Sequence, residues 1–145
     1  IYSSHTFEHL TYTEAAFVLS ESYRVLKPGG LIRIIVPDLE QLIESYILNK
    51  EKIPHLAAKK LLEDSLYFEI PIPDSLLGLL KFYFKKKNNH HFLYDRLGLT
   101  YQKEKAGFAN MHRMAYGESK IDNIVEIDIA SRFPGAICLE GVKFS

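Results

Sequence analysis

Apolar residues recur at two different spacings near the start of the chain, and each spacing predicts a different element. One stripe at helical intervals covers about residues 13–26 and is formed by Ala15, Val18, Leu19 and Leu26. Thr11 and Glu14 have the spacing of a capping box, which marks a helix start. Residues 31–36 instead form a nearly continuous apolar run, which is typical of a strand covered on both faces. Arg33 interrupts that run, and we expect it to pair with a carboxylate.

The segments around this helix and strand extend the pattern. Residues 1–3 are strand-like, and a loop with two histidines follows them. Pro37 ends the second strand, and Asp38 is placed to cap another helix. The order strand, helix, strand, helix predicts right-handed crossovers that build a parallel sheet. Ligands of such sheets bind at the carboxyl ends of the strands, which here fall at Ser3 to His5 and at Val36 to Asp38.

The later elements complete an α/β domain. The pattern over about residues 50–91 predicts a helical insert or lid, with an elbow at residues 70–73 where two prolines occur. A further helix is predicted over residues 92–106. Strands over about 108–116 and 136–144 are expected to pair antiparallel at one edge. We therefore predict a mostly parallel sheet with an antiparallel edge hairpin and a helical insert.

Composition and charge narrow the classes of protein and of partner. The chain has 145 residues, 47% of them hydrophobic and 25% charged, which fits one globular domain. Its 18 basic and 18 acidic side chains cancel, so we expect no nucleic-acid partner and no membrane partner. The apolar runs are far shorter than the roughly 20 residues of a membrane helix. Cys138 is the single cysteine, which excludes an internal disulfide and favours a reducing, cytoplasmic location.

Three phrases, in this order along the chain, carry a resemblance to a known family. They are Ser3–Leu10, Tyr23–Gly30 and Ile34–Glu40. Together they resemble the fourth strand, the following helix and the fifth strand of a class I S-adenosylmethionine-dependent methyltransferase of the type 11 branch. Further phrases follow in the order seen in a predicted bacterial methyltransferase group, at His90–Asp95, Ala106–Phe108, Gly117–Ser119 and Leu139–Lys143.

This resemblance covers nearly the whole chain and implies an incomplete Rossmann-like methyltransferase fold. Residues 1–145 would be the C-terminal part of one domain that begins upstream of Ile1. The implied reaction is methyl transfer from S-adenosylmethionine to a small-molecule or glycan-type acceptor. The family's glycine-rich cofactor turn is missing, since no Gly-x-Gly occurs in the sequence. We therefore expect cofactor binding to need preceding residues, and this segment alone to be inactive.

The resemblance also suggests which residues form the site. His5 is the predicted catalytic residue, because it follows the first strand and an imidazole can act as a base or orient an acceptor near neutral pH. Ser3, Ser4 and His5 are predicted to contact the cofactor; the alternatives are strand-end capping and a histidine bonded to neighbouring backbone. Acceptor contacts are predicted at Asp38, His90, His91 and Tyr94. Helix capping by Asp38 and an exposed loop around the other three residues are the alternatives.

The loop after the first strand also raises the question of a metal. His5, Glu8 and His9 have the spacing His-x-x-Glu-His found in one class of zinc peptidases, but that motif needs a continuous helix. The pattern here breaks before Thr11. Some methyltransferases with a Glu-x-x-Glu-His loop bind magnesium, yet His5 stands where the first carboxylate would be, and magnesium prefers oxygen ligands. The sequence therefore predicts no metal.

A second hypothesis is a non-catalytic, methyltransferase-like module that binds a partner or ligand. A sheet that starts at Ile1 would expose a strand edge and apolar helix faces, which promote association, including homo-oligomers. A third hypothesis, nucleic-acid binding by the lysine and aromatic side chains of residues 81–87, is disfavoured by the zero net charge.

Overall fold

Four strands form one mixed sheet in the computed structural model of the chain, which describes residues 1–65, 75 and 90–144. The strands are β1 (Tyr2–Ser4), β2 (Leu31–Pro37), β3 (Ala109–Arg113) and β4 (Ala136–Val142). The helices of the described part are α1 (Tyr12–Val25), α2 (Leu39–Lys52), α3 (Ala57–Asp64) and α4 (Arg96–Lys105). Together they form a small α/β domain. None of the helices in these ranges is long and apolar enough to cross a membrane.

Two strand pairings that the sequence predicts are confirmed. β1 and β2 lie side by side and parallel, with Ser3 opposite Ile34. β3 and β4 pair antiparallel, with Arg113 opposite Leu139. The carboxyl ends of β1 and β2 therefore lie at the same edge of the sheet, where the site was expected.

The prediction of a mostly parallel sheet is wrong, because only one of the three pairings is parallel. The strand order is β1-β2-β4-β3, and β4 pairs antiparallel with both of its neighbours. The burial of the strands accounts for this position. Residues 136–141 of β4 are all buried, as an interior strand requires, whereas β3 has exposed positions and occupies the edge. Pattern alone placed β4 in an edge hairpin and did not place it against β2.

Local signals explain where the helices begin. The predicted capping box precedes α1, where the Glu14 amide donates to Thr11 Oγ1 at 3.3 Å and the Thr11 amide donates to Glu14 Oε2 at 2.8 Å. Asp95 caps α4 through the Gly98 amide, so this helix begins later than the prediction over residues 92–106. The predicted elbow and the lysine-rich end of the insert lie outside the described residues.

The two faces of the sheet have different cores. On one face, apolar residues of β2 and β4 pack against α1 and α4, and this cluster includes Leu19, Ile32, Ile34, Val36, Leu99, Ile137 and Leu139. Each such buried side chain contributes about 1.5–3 kcal/mol to folding. The other face holds a smaller apolar cluster of Ile35, Ala136 and Cys138, packed against Phe133 and Met114. Irregular chain therefore contributes to covering this second face.

Arg33 lies on the second face and confirms the predicted pairing with a carboxylate. Its guanidinium contacts Asp128 Oδ2 at 2.6 Å and Glu140 Oε1 at 2.8 Å, and all three side chains are buried. It also donates to the carbonyl oxygens of Ala115 and Glu118. A buried charge thus fastens the segment between β3 and β4 to the sheet.

Candidate functional site

The carboxyl ends of β1 and β2 open onto a cavity of about 370 Å³. His5 directly follows β1 with a φ of 50°, and its amide donates to the Ile35 carbonyl at 2.8 Å. This bond extends the parallel pairing by one residue and turns the chain at the mouth of the cavity. The lining includes His5, Pro37, Gln41, Asp64, His90 and Gly135. The structure thus brings two of the predicted site residues, His5 and His90, to one cavity.

Both ring nitrogens of His5 face oxygen atoms. Nε2 lies 2.9 Å from the Arg132 carbonyl oxygen, and Nδ1 lies 3.4 Å from Glu8 Oε1. Glu8 raises the pKa of His5, burial opposes this effect, and the Arg132 carbonyl adds to it. Because both neighbours are acceptors, the doubly protonated ring suits this position best. His5 must give up one contact and one proton before it can act as a base, so that role stays a prediction.

Glu8 lies in a 3-10 turn over Phe7–His9, three residues after His5. It is 1% exposed, and neither carboxylate oxygen has a hydrogen-bond partner among the residues described. Its backbone carbonyl accepts from the amides of His91 at 2.7 Å and Phe92 at 3.2 Å. The loop after β1 is therefore bound to the segment before α4.

His90 belongs to the segment before α4 and lies close to Glu8. Its Nε2 is 3.9 Å from Glu8 Oε1, and its Nδ1 is buried with no hydrogen-bond partner in the described ranges. The rings of His9 and His90 meet edge to face, with centroids 5.0 Å apart. Burial lowers the pKa of His90, and the Glu8 carboxylate acts in the opposite direction. The neutral ring is therefore favoured at His90.

The other predicted acceptor contacts lie in different surroundings. Asp38 is buried and caps α2, accepting from the Glu40 amide at 3.0 Å. Tyr94 is 1% exposed, its ring lies in the apolar core, and its carbonyl accepts from the Leu39 amide at 2.9 Å. Burial raises the pKa of the Tyr94 hydroxyl. His91 is exposed. Asp38 therefore has the capping role given as the alternative, and acceptor contact by these three residues stays a prediction.

The predicted cofactor contacts Ser3 and Ser4 form the end of β1 and are half-buried. Ser4 Oγ is buried and lacks a hydrogen-bond partner within the described chain, while the Ser4 carbonyl accepts from Thr6 Oγ1 at 3.3 Å. An unpartnered hydroxyl at a strand end is the kind of group that a ligand can satisfy. Cofactor contact by these serines stays a prediction.

A second cavity, of about 550 Å³, adjoins the first on the side of β4. The two cavities share Gln41, Pro134 and Gly135, and the second also reaches Arg113 and Glu118. This edge of the sheet therefore holds a second cavity next to the His5 cavity.

The proximity of Glu8 and His90 was not predicted from the sequence. Both signals were visible, since Glu8 belongs to the His-x-x-Glu-His spacing and His90 to the polar Asn-Asn-His-His run. The residues are far apart in the chain, and no local pattern specifies that their segments pair. In the described part of the structure, Glu8, His9 and His90 bring one ligand atom each to within 4.8 Å of one another.

Comparisons with known proteins identify no relative of established function. No protein-family model and no curated protein matches the chain. A solved structure of a possible exported protein from Bordetella parapertussis is similar, with a TM-score of 0.46 and 14% sequence identity. The similarity covers 99% of this chain and 37% of that chain. The chain thus spans about a third of that protein's length, and a likeness of this strength identifies neither fold family nor function.

Proposed function

We propose that this chain is the C-terminal part of a methyltransferase that uses S-adenosylmethionine, with a Rossmann-like fold and a small-molecule or glycan-type acceptor. One observation carries the proposal. β1 and β2 are parallel neighbours, and their carboxyl ends open onto the cavity lined by His5 and Pro37. In open α/β sheets, this edge is where ligands bind. We also propose a cytoplasmic location, because the single cysteine is a free thiol.

The strand directions support the same proposal. β4 runs antiparallel to β2 and also to β3. β1, β2 and β3 therefore all point the same way, and β4 alone is reversed. A sheet with one direction for all strands but one is compatible with a doubly wound fold that is complete only when further strands join β1. Among the strands of the described ranges, β1 lies at the edge of the sheet, which is where such strands would join.

The residues at the end of β1 fit one part of a cofactor site. The buried hydroxyl of Ser4 lacks a partner among the described residues, and His5 turns the chain beside it. When bound, S-adenosylmethionine supplies an activated methyl group on its sulfonium. The chain's own contribution would be to position the acceptor and exclude water. The glycine-rich turn that lets backbone approach the cofactor would come from residues preceding Ile1.

His5 is the residue that we propose acts on the acceptor. Its contacts with Glu8 and Arg132 hold the ring at the cavity wall. Held in this way, the ring can orient an acceptor, and it can act as a base once Nε2 has left the Arg132 carbonyl and lost its proton. His5→Ala should therefore lower turnover far more than cofactor affinity. Unchanged turnover would remove His5 from the mechanism.

The direct experiment uses the longest gene product that contains this chain. Calorimetry with S-adenosylmethionine should give one saturable site, and a labelled methyl group should reach a small-molecule or glycan fraction of a cell extract. His55→Gln serves as a matched control, because that histidine is exposed, is not a predicted site residue and does not line the cavity. Absence of cofactor binding by the full gene product would contradict the proposal.

A second candidate is a non-catalytic interaction module, and two observations favour it. β1 is an edge strand, and large apolar side chains are exposed on two helices, with Phe17 of α1 66% and Leu97 of α4 65% exposed. Such surfaces promote association. This candidate predicts a dimer or larger species by light scattering and no cofactor binding by the full gene product. A monomer that binds S-adenosylmethionine would exclude it.

A further inference from the structure

We propose that Glu8, His9 and His90 form a binding site for one divalent transition-metal ion of the zinc class. Their ligand atoms, a carboxylate oxygen and two imidazole nitrogens, lie within 4.8 Å of one another. One carboxylate with two histidines is a ligand set that proteins use for zinc. Small side-chain movements would bring these atoms to the roughly 2.0–2.2 Å at which zinc is bound. This inference does not depend on the proposed methyl transfer.

The hydrogen bonding of the cluster points to a missing cation. Glu8 has a side chain that is 1% exposed, and neither of its oxygens has a hydrogen-bond partner in the described chain. His90 has a side chain that is 4% exposed, and its Nδ1 also lacks one there. Burying a carboxylate without such partners is costly. A bound cation would satisfy the carboxylate.

The nearest histidine contacts leave the Glu8 oxygens without a hydrogen bond of good geometry, even with the His5 ring protonated. His5 Nδ1 lies 3.4 Å from Glu8 Oε1, and His90 Nε2 lies 3.9 Å from the same oxygen. Both separations exceed the range of a good hydrogen bond between nitrogen and oxygen. His5 is instead suited to an outer position, since its other nitrogen is held by the Arg132 carbonyl at 2.9 Å. Outer partners of this kind orient a metal-binding carboxylate.

The backbone already brings the two ligand-bearing segments together. The Glu8 carbonyl accepts from the amides of His91 and Phe92, so the loop after β1 and the segment before α4 are fixed relative to one another. His9 and His90 are in ring contact. An ion therefore finds its ligands assembled and does not have to order a loop. This arrangement reduces the entropy cost of binding.

The donor set also selects the class of ion. Two imidazoles favour zinc, cobalt or nickel over magnesium and calcium, which prefer oxygen ligands. Three protein ligands leave one position of a tetrahedral ion for water or another molecule. His90 also lines the cavity of about 370 Å³, which gives the ion a path to solvent.

The experiment titrates the purified chain with Zn²⁺ alone, in competition with a chromophoric chelator. We expect one equivalent bound with micromolar or tighter affinity, and no comparable binding of Mg²⁺. Glu8→Gln and His90→Gln should each weaken zinc binding at least tenfold. His91→Gln is the matched control and should bind as the parent chain does, because that side chain is exposed and only its backbone contacts Glu8. His5→Gln should weaken binding about tenfold through its outer position.

Two further measurements separate loss of a ligand from loss of the fold. Circular dichroism of each variant without metal should match that of the parent chain. Co²⁺ added to the parent chain should give the intense visible absorption of a four-coordinate ion with imidazole ligands. Absence of stoichiometric zinc binding would overturn the proposal, as would folded Glu8→Gln and His90→Gln variants that bind zinc unchanged. If those variants do not fold, a Co²⁺ spectrum of the fully hydrated ion with the parent chain would overturn it.

Discussion

Two clusters of buried charged side chains differ in how completely they are hydrogen-bonded. In the first, which we call the Arg33 cluster, Arg33 contacts Asp128 at 2.6 Å and Glu140 at 2.8 Å. Further partners reach both carboxylates, since the Gly117 amide donates to Asp128 and the Ser119 hydroxyl donates to Glu140. Every member has its partners. This cluster therefore behaves as part of the architecture, holding irregular chain against the sheet.

The second, which we call the Glu8 cluster, consists of Glu8 with His5, His9 and His90. Glu8 and His90 are as deeply buried as the Arg33 cluster, whereas His5 and His9 are half-buried. Both oxygens of Glu8 nevertheless lack hydrogen-bond partners within the described residues. A folded chain retains such an arrangement only where something else compensates. The two clusters therefore differ in what completes them. The Arg33 cluster is complete within the chain, whereas the Glu8 cluster, beside a cavity, has acceptors that a ligand could use.

The largest expected effect is at the centre of the Arg33 cluster. Arg33→Met should lower the free energy of unfolding by about 3–5 kcal/mol, because it leaves two buried carboxylates without their cation. Urea denaturation measures the loss. The triple variant with Asp128→Asn and Glu140→Gln should recover part of it, since no uncompensated charge then remains. A loss below about 1 kcal/mol for Arg33→Met would show that the cluster is not architectural.

Lys103 is a third buried ionisable side chain, and its protonation makes the free energy of unfolding depend on pH. Lys103 of α4 donates to the Leu139 carbonyl at 2.9 Å, and burial lowers its pKa to about 7. Between pH 7 and its ordinary value of 10.5, the unfolded chain holds more protons than the folded chain, so stability rises with pH. We expect an increase of about 2 kcal/mol from pH 7 to pH 9.

The control for this prediction is Lys103→Met, measured by urea denaturation at the same pH values. The variant should lose the slope, while contributions from other groups cancel in the difference between the two chains. The range stops at pH 9 because burial raises the pKa of Cys138 to about 12, which gives the opposite slope above its ordinary value of 9.0. Equal slopes in both chains would refute the assignment to Lys103.

A direct contrast between the clusters comes from the same substitution in each. Glu140→Gln should destabilise the chain by about 1–2 kcal/mol, because Arg33 and the Ser119 hydroxyl lose a charged acceptor. Glu8→Gln should not destabilise the metal-free chain, because no hydrogen bond of good geometry is lost and a costly buried charge is removed. Thermal and urea denaturation measure both. A larger loss for Glu8→Gln than for Glu140→Gln would reverse the distinction.

The smallest effect on stability is expected for an ion pair at the surface, which serves as the reference for the buried pairs. Arg24 and Glu21 form a 2.8 Å ion pair on the exposed side of α1. Arg24→Ala should leave the urea midpoint unchanged within error, since exposed pairs are screened and ordering both side chains offsets the attraction. A shift comparable to that of Glu140→Gln would mean that burial does not separate these interactions.

Local signals explain which parts of the fold were predictable. The capping box at Thr11 and the apolar run of β2 act within a few residues, and the parallel neighbours β1 and β2 follow from the helix that joins them. The place of β4 depends on pairing between segments about a hundred residues apart. No periodicity encodes that choice, because an apolar strand suits any interior position.

The candidate site likewise contains residues whose positions the sequence predicts and contacts that it does not predict. His5 was predictable as the residue at the end of a parallel strand, since topology alone fixes the edge where ligands bind. Its contact with the Arg132 carbonyl was not, because Arg132 comes from a segment far along the chain. Likewise, Glu8 and His90 lie close together because backbone hydrogen bonds join two segments that are far apart in the sequence. Asp38 is the opposite case. It was predicted to contact the acceptor, but its role as the N-cap of α2 explains its position without a ligand.

The position of the chain's one thiol has a practical consequence. Cys138 is 2% exposed in the interior strand β4, and a thiol reacts with alkylating reagents only as the accessible thiolate. Modification at neutral pH must therefore wait for the sheet to come apart around it. Mass spectra recorded over time would show one adduct on each molecule whose sheet has opened. The rate of unfolding can therefore be measured on the native sequence, without an added dye or label.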